Sequence, residues 1–237
     1  MTLPVLITGA TQRLGLAVAS YLLDKGYPVV VTYRTRRESV DELQQRGATT
    51  IPADFSTQAS IDRAIDDIRS VCGELRGIIH NASDWAPEST DEADSDRFNR
   101  MMLIHATAPY CINKALATNL TSHGGAADII HMTDYVQDTG SEKHIAYAAS
   151  KAALHNLTLS FARALSPTVK VNSIAPSLVM FNEHDSDDYR RRANDKFLLR
   201  PGPGAAEVVE AVDYIFNSRY VTGQTLHLNG GRHLKNA

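Results

Sequence analysis

Tyr147 and Lys151 stand four residues apart in Tyr147-Ala-Ala-Ser-Lys151. On a helix that spacing puts both side chains on one face. An ammonium beside a phenol favours the phenolate, so Lys151 is expected to lower the tyrosine pKa from its ordinary value of about 10. A phenol tuned in this way can donate a proton near neutrality. A reductase needs such a donor when hydride goes to one atom and a proton to its neighbour. Alone, Tyr-x-x-x-Lys commonly decorates a solvated helix face, so its weight depends on the elements around it.

Those elements alternate in type. β-branched runs predict strands at 4–8, 29–33, 49–53, 77–80, 128–132, 169–174 and 225–228. Between them, apolar residues at helical spacing predict helices at 14–25, 38–46, 60–71, 96–120 and 145–166. The long helix at 96–120 carries Phe98, Met101, Met102, His105, Ala108 and Ile112 on one stripe. Short strands separated by helices predict an α/β fold: a single Rossmann-type, doubly wound parallel sheet flanked by helices on both faces. No linker, repeat or low-complexity tract interrupts the chain, so 1–237 reads as one domain. The acidic stretch 88–96 and the irregular region 177–204 read as loops on the ligand side, the latter a substrate loop and candidate lid.

Composition narrows the classes. Hydrophobic residues make up 43% of 237, enough for a sizeable core. A net charge of −3 provides no basic field for nucleic acid or an anionic membrane surface. No window approaches the roughly 20 apolar residues of a membrane span, and the N-terminal apolar run is too short for a signal peptide. Cys72 and Cys111 are isolated thiols, which suits a reducing compartment. A cytoplasmic protein is expected. The histidines show no metal-ligand spacing, so no metal is expected.

After the first strand comes Thr8-Gly9-Ala10-Thr11-Gln12-Arg13-Leu14-Gly15. Gly9 permits a tight strand-to-helix turn and Gly15 a close helix start. The exposed N–H groups there form a site for a pyrophosphate. The end of the second strand reads Tyr33-Arg34-Thr35-Arg36-Arg37, with no acid until Glu38. A carboxylate there would accept from the ribose hydroxyls of NAD. Three guanidiniums suit a 2′-phosphate instead, so NADPH is expected over NADH.

Together these motifs resemble the short-chain dehydrogenase/reductase family over essentially the whole chain. The matching pieces are Thr8-Gly9 with Gly15, Asp54 after the third strand, Asn81-Ala82-Ser83 after the fourth, Tyr147-x-x-x-Lys151, and Ala175-Pro176-Ser177 after the sixth. The resemblance implies that Asp54 and Phe55 sit beside the adenine and that Asn81, Ala82 and Ser83 line the cofactor. It further implies that Lys151 binds the nicotinamide ribose and that Pro176 and Ser177 flank the nicotinamide. With Gly9, Arg13, Leu14, Gly15, Arg34, Thr35 and Tyr147 these complete the expected cofactor site. The family also implies a homotetramer built on the helices near 96–120 and 147–165.

Three positions depart from the family pattern. Arg13 replaces a third glycine, Asp134 replaces the catalytic serine thirteen residues before the tyrosine, and His105 replaces an asparagine. The first two resemble the pteridine reductases, and Trp85 falls where those enzymes stack an aromatic on the pterin. Stretches around 130–136, 143–151 and 175–184 are similar to the bacterial dihydromonapterin reductases. That subgroup reduces 7,8-dihydromonapterin and, less well, dihydrofolate. The implied catalytic group is Tyr147, Lys151 and Asp134. The implied substrate site is Trp85, Ser83, Arg13, Asp134 and Tyr147.

Each residue also has a plainer reading. Asp134 could be a turn or cap aspartate, Trp85 a core residue, Arg13 a surface arginine at a helix start, and His105 a packing residue that bonds main chain or water. Asp185, Asp187 and Asp188 read as a solvated run. Two rival functions share the fold: a ketone reductase, which would want serine at 134, and a silent NADPH sensor, which would be free to lose Tyr147 and Lys151.

Overall fold

A computed structural model describes residues 2–235. Its strands are β1 (Val5–Thr8), β2 (Val29–Tyr33), β3 (Thr49–Pro52), β4 (Gly77–His80), β5 (Ala127–Met132), β6 (Val169–Pro176) and β7 (Thr225–Leu228). They form one parallel sheet in the order β3-β2-β1-β4-β5-β6-β7. The helices are α1 (Arg13–Asp24), α2 (Glu38–Gln45), α3 (Gln58–Val71), α4 (Asp94–Met102), α5 (Ala108–Ala115), α6 (Ala117–Thr121), α7 (Val136–Thr139), α8 (Ile145–Leu165), α9 (Asp187–Asn194), α10 (Ala206–Asn217) and α11 (Arg232–Lys235).

Both faces of the sheet are covered, so its central strands are largely apolar. β1 and β4 are buried at every position. Period-two alternation sends Leu6, Ile78 and Ile129 into one core with α3, α5 and α8. Ile7, Ile79 and Ile130 enter the other core with α1 and α10. Fully burying each such side chain contributes about 1.5–3 kcal/mol. Strand order reverses between β1 and β4. Their carboxyl ends therefore open a crevice, the usual ligand position in such sheets.

Two expectations about elements need correction. The helix expected at 96–120 is not continuous. α4 passes into a π-helical turn at Leu103–Thr107, α5 ends at Ala115, and α6 follows. Pro109 has no N–H to donate to the His105 carbonyl four residues back, which accounts for the widened turn. Nor is 177–204 irregular throughout, because it contains α9. Ser186 caps α9 by accepting from the Tyr189 N–H, Asp187 and Asp188 lie in its first turn, and Arg191 and Arg192 lie in its last. That order of charge complements the helix dipole.

Candidate active site

Beyond β1 the chain turns within two residues. Gly9 has φ +65°, and a Cβ there would lie 2.7 Å from Ala82 Cα. A Cβ on Gly15 would lie 2.4 Å from Asn81 Nδ2. Only bare backbone fits at both positions. Asn81 fastens the turn by donating to the Thr8 and Gly9 carbonyls at 3.2 and 2.8 Å. Arg13 keeps the left-handed backbone expected of a glycine, with φ +51°, at a cost of about 1–2 kcal/mol.

The crevice has a volume of about 550 Å³, and Gly9, Arg13, Leu14, Gly15, Arg34 and Thr35 line its near side. Asp54, Phe55, Asn81, Ala82, Ser83 and Trp85 line the rest. Arg37 faces the same space, whereas Arg36 is drawn away by a salt bridge to Asp41. Two guanidiniums, not the expected three, are thus offered to a ligand. Arg34 also meets Asp84 at 3.4 Å. Arg100 holds Asp84 more closely, at 2.5 Å, and so steadies the loop just before Trp85. Asp54 turns its carboxylate back to the Ser56 N–H and hydroxyl at 3.0 and 2.9 Å. The Trp85 indole is 64% exposed, far from the core position its size would favour. It stands edge-on to His144, with ring centroids 5.2 Å apart.

Tyr147, Lys151, Asp134, Pro176 and Ser177 are not among the lining residues. His105 joins Tyr147 and its helix α8 to the crevice. The Asp84 backbone N–H and the Ser83 hydroxyl both reach its Nε2, at 3.3 and 2.9 Å. Nε2 is therefore the accepting nitrogen, and Nδ1 donates to Ser150 Oγ at 2.8 Å. Its ring lies edge-on to Tyr147, centroid to centroid 5.4 Å. Burial and the nearby Lys151 charge hold its pKa well below the ordinary value, so it is neutral. His105 thus bonds main chain, as expected, but it also ties the Ser83 loop to α8.

The Tyr147 hydroxyl donates to Asp134 Oδ2 at 3.0 Å. The other carboxylate oxygen, Oδ1, accepts from the Val136 N–H at 2.9 Å. Asp134 is therefore a turn aspartate and a partner of the phenol at once. Burial pushes its pKa above the usual carboxylate range, against the opposing pull of the Val136 N–H, Lys151, Tyr147 and Arg232. The expected lowering of the Tyr147 pKa is not what the structure shows. Burial, then the adjoining Asp134 charge, raise it well above the ordinary phenol value. Lys151 sits 5.5 Å from the ring centroid and donates to the Met132 carbonyl at 2.9 Å. Its own pKa falls to about 8, driven by burial. The geometry thus presents a buried carboxyl and a buried phenol, each with its pKa raised, beside a cation.

The substrate loop is fastened on two sides. Arg13 Nη1 and Nη2 cross the crevice to Asn182 Oδ1 and the Met180 carbonyl, at 2.5 and 3.3 Å. Pro176 ends β6, and its carbonyl accepts from the Tyr135 N–H at 2.9 Å. Ser177 Oγ accepts from Arg232 Nη1 at 3.0 Å. Arg232 lies near the far end of the chain, and the motif reading passes it over.

A family described as "Enoyl-(Acyl carrier protein) reductase" matches residues 9–233. A dihydromonapterin reductase of Klebsiella pneumoniae is 53% identical over 233 residues, covering 98% of this chain and 97% of that protein. One from Escherichia coli O6:H1 is 51% identical over 235 residues, covering 99% and 98%. The chain belongs to the short-chain dehydrogenase/reductase family of oxidoreductases.

Solved structures of short-chain reductases overlay closely. The FolM alternative dihydrofolate reductase 1 from Brucella canis, complexed with NADP, has a TM-score of 0.87 at 26% identity, covering 98% of this chain and 94% of that one. Among the described residues of this short-chain reductase, no helix is long and apolar enough to cross a membrane, and no metal-ligating cluster is present. Its crevice fits a dinucleotide. Bare glycine backbone borders it at Gly9 and Gly15, and the Arg34 and Arg37 guanidiniums face its space.

Proposed function

We propose that the protein is an NADPH-dependent dihydropterin reductase, acting on 7,8-dihydromonapterin and more weakly on dihydrofolate. The observation that carries this reading is the buried carboxyl of Asp134, joined to the Tyr147 hydroxyl at 3.0 Å. A ketone needs only a hydroxyl donor at its oxygen. A dihydropterin has a reducible N5=C6 imine among polar ring atoms, and a carboxyl whose pKa is raised by burial can pass a proton to N5. When bound, NADPH supplies hydride to C6. Asp134 and Tyr147 hold the proton for N5, and Lys151 supplies the cation beside them. The Trp85 indole offers a face for the flat bicycle. Relatives about half identical to this chain are named for the same substrate.

The test is NADPH oxidation with 7,8-dihydromonapterin, dihydrofolate and a panel of ketones. The expected order is dihydromonapterin first, dihydrofolate second and ketones last. Brisk ketone reduction with no pterin turnover would end the proposal. No turnover of any substrate would favour a sensor.

Arg34 is proposed to read the 2′-phosphate with Arg37. Arg34→Ala is expected to weaken NADPH binding about tenfold and NADH binding less than about twofold, since only the former offers a phosphate to the fork. Isothermal titration with both cofactors checks this, and equal losses would remove Arg34 from that role.

The same reading makes the protein a cytoplasmic homotetramer. Phe98, Tyr110 and Leu159 leave apolar surface exposed on α4, α5 and α8, the helices a tetramer would use. Light scattering on the purified protein tests the assembly.

A further inference from the structure

The C-terminal turn grips the substrate loop. The Leu198 and Leu199 N–H groups both donate to the Gly230 carbonyl, at 3.0 and 2.9 Å. Lys235 Nζ donates to the Phe197 carbonyl at 2.9 Å. At the loop's other end, the Ser177 N–H donates to the Leu228 carbonyl at 3.0 Å. Arg232 stands where these strands of contact meet. Its guanidinium lies 4.7 Å from the Tyr135 ring centroid and 5.4 Å from that of Phe197. Nη1 donates to Ser177 Oγ at 3.0 Å. Tyr135 directly follows Asp134 in the chain. One side chain thus touches the loop's start, the loop's end and the turn that carries the carboxyl.

Its surroundings are unusual for a packing residue. Nε is buried and has no hydrogen-bond partner among the described residues. An orphaned buried donor costs about 1–3 kcal/mol. Arg232 is only partly buried and has no salt bridge among the described residues, so ion pairing does not account for it either. Packing alone gives no reason for a donor left without a partner at this place.

We propose that Arg232 is a positioning residue for the reduction, latching both ends of the substrate loop onto the turn that carries Asp134. It acts through other residues: through Ser177 and Phe197 on the loop, and through Tyr135 on the acid's backbone. The proposal rests on the dihydropterin reading for its substrate and on geometry alone for the latch. Its charge also bears on the carboxyl. Asp134 is faced by Tyr147 and Lys151 from α8, by the Val136 N–H from α7, and by Arg232 from α11. Removing Arg232 takes away one of the influences that oppose burial.

The experiment compares Arg232→Met and Arg232→Lys with the wild-type enzyme. Arg232→Met is expected to raise KM for the dihydropterin about tenfold, lower kcat less than about threefold, and leave NADPH affinity within about twofold. The alkaline limb of kcat/KM should move to higher pH in Arg232→Met and return in Arg232→Lys, which restores the charge. KM should stay raised in Arg232→Lys, because an ammonium cannot form the planar stack. Hydrogen exchange at the Leu198 and Leu199 amides should quicken about tenfold in Arg232→Met, as the latch opens. Unchanged KM with unchanged exchange at 198–199 would overturn the proposal, whatever happens to Tm. The exchange measurement needs no substrate. A wild-type enzyme that reduced no dihydropterin would end the functional reading, while exchange would still judge the latch.

Discussion

Replacing Tyr147 with phenylalanine is expected to lower kcat for the dihydropterin by about a hundredfold or more, with NADPH affinity kept within a few-fold. Only the hydroxyl is lost, and the ring keeps its place edge-on to His105 and against Ala86, Met101 and Ala146. The hydroxyl has one donated bond, to Asp134 Oδ2. Its removal therefore deletes a proton and frees the carboxyl that the proton anchored. That bond also lowers the Asp134 pKa. In the variant the residual activity should persist to higher pH than in the wild type. Stopped-flow measurement of NADPH oxidation across pH gives both quantities. A normal kcat would remove the tyrosine from the chemistry. A large loss with an unmoved alkaline limb would show that Asp134 does not depend on this bond.

The parts of the fold written in local pattern were readable. β2, β4 and β7 begin and end where their apolar runs meet turn residues, and the phosphate turn follows from two glycines at fixed offsets. Helix α10 went unread although Val208, Ala211, Val212 and Ile215 carry its buried stripe. α9 has a capping serine and ordered charge but buries only Ala193, so no apolar period announces it. Within the site, what sequence missed depends on distance in space. Arg36 looks equivalent to Arg34 until Asp41 draws it aside. Lys151, four residues away on the same helix, points to a lowered Tyr147 pKa. Burial and Asp134, thirteen residues earlier, decide it. Arg232 reaches the acid's turn from 97 positions beyond Tyr135 (232 minus 135), and no spacing rule connects them. The clue that could have found it is weak: an arginine after the paired glycines that close the last strand.

Asp134→Asn is expected to produce an enzyme that is more stable and far less active. The amide keeps the shape, and its oxygen can still accept from the Val136 N–H, but it has no acidic proton to give. A loss of about a hundredfold in kcat is expected for a general acid removed from this position. The stability change has the opposite sign. Burial raises the folded-state pKa of Asp134 above the unfolded value. The wild-type contribution is therefore most favourable below the unfolded pKa and is lost as pH rises through the folded one. Above the folded-state pKa the wild type holds an ionised carboxyl in a buried site, and the amide removes that cost. Tm of the variant should exceed that of the wild type at pH 8, and the gap should close as pH falls toward 4. Thermal unfolding across pH, followed by circular dichroism, measures this directly. A variant that is both inactive and less stable at pH 8 would mean that Asp134 holds the turn together, and its assignment as the proton source would fall. The paired result, stability gained where turnover is lost, is what a buried acid kept at a cost for chemistry should give.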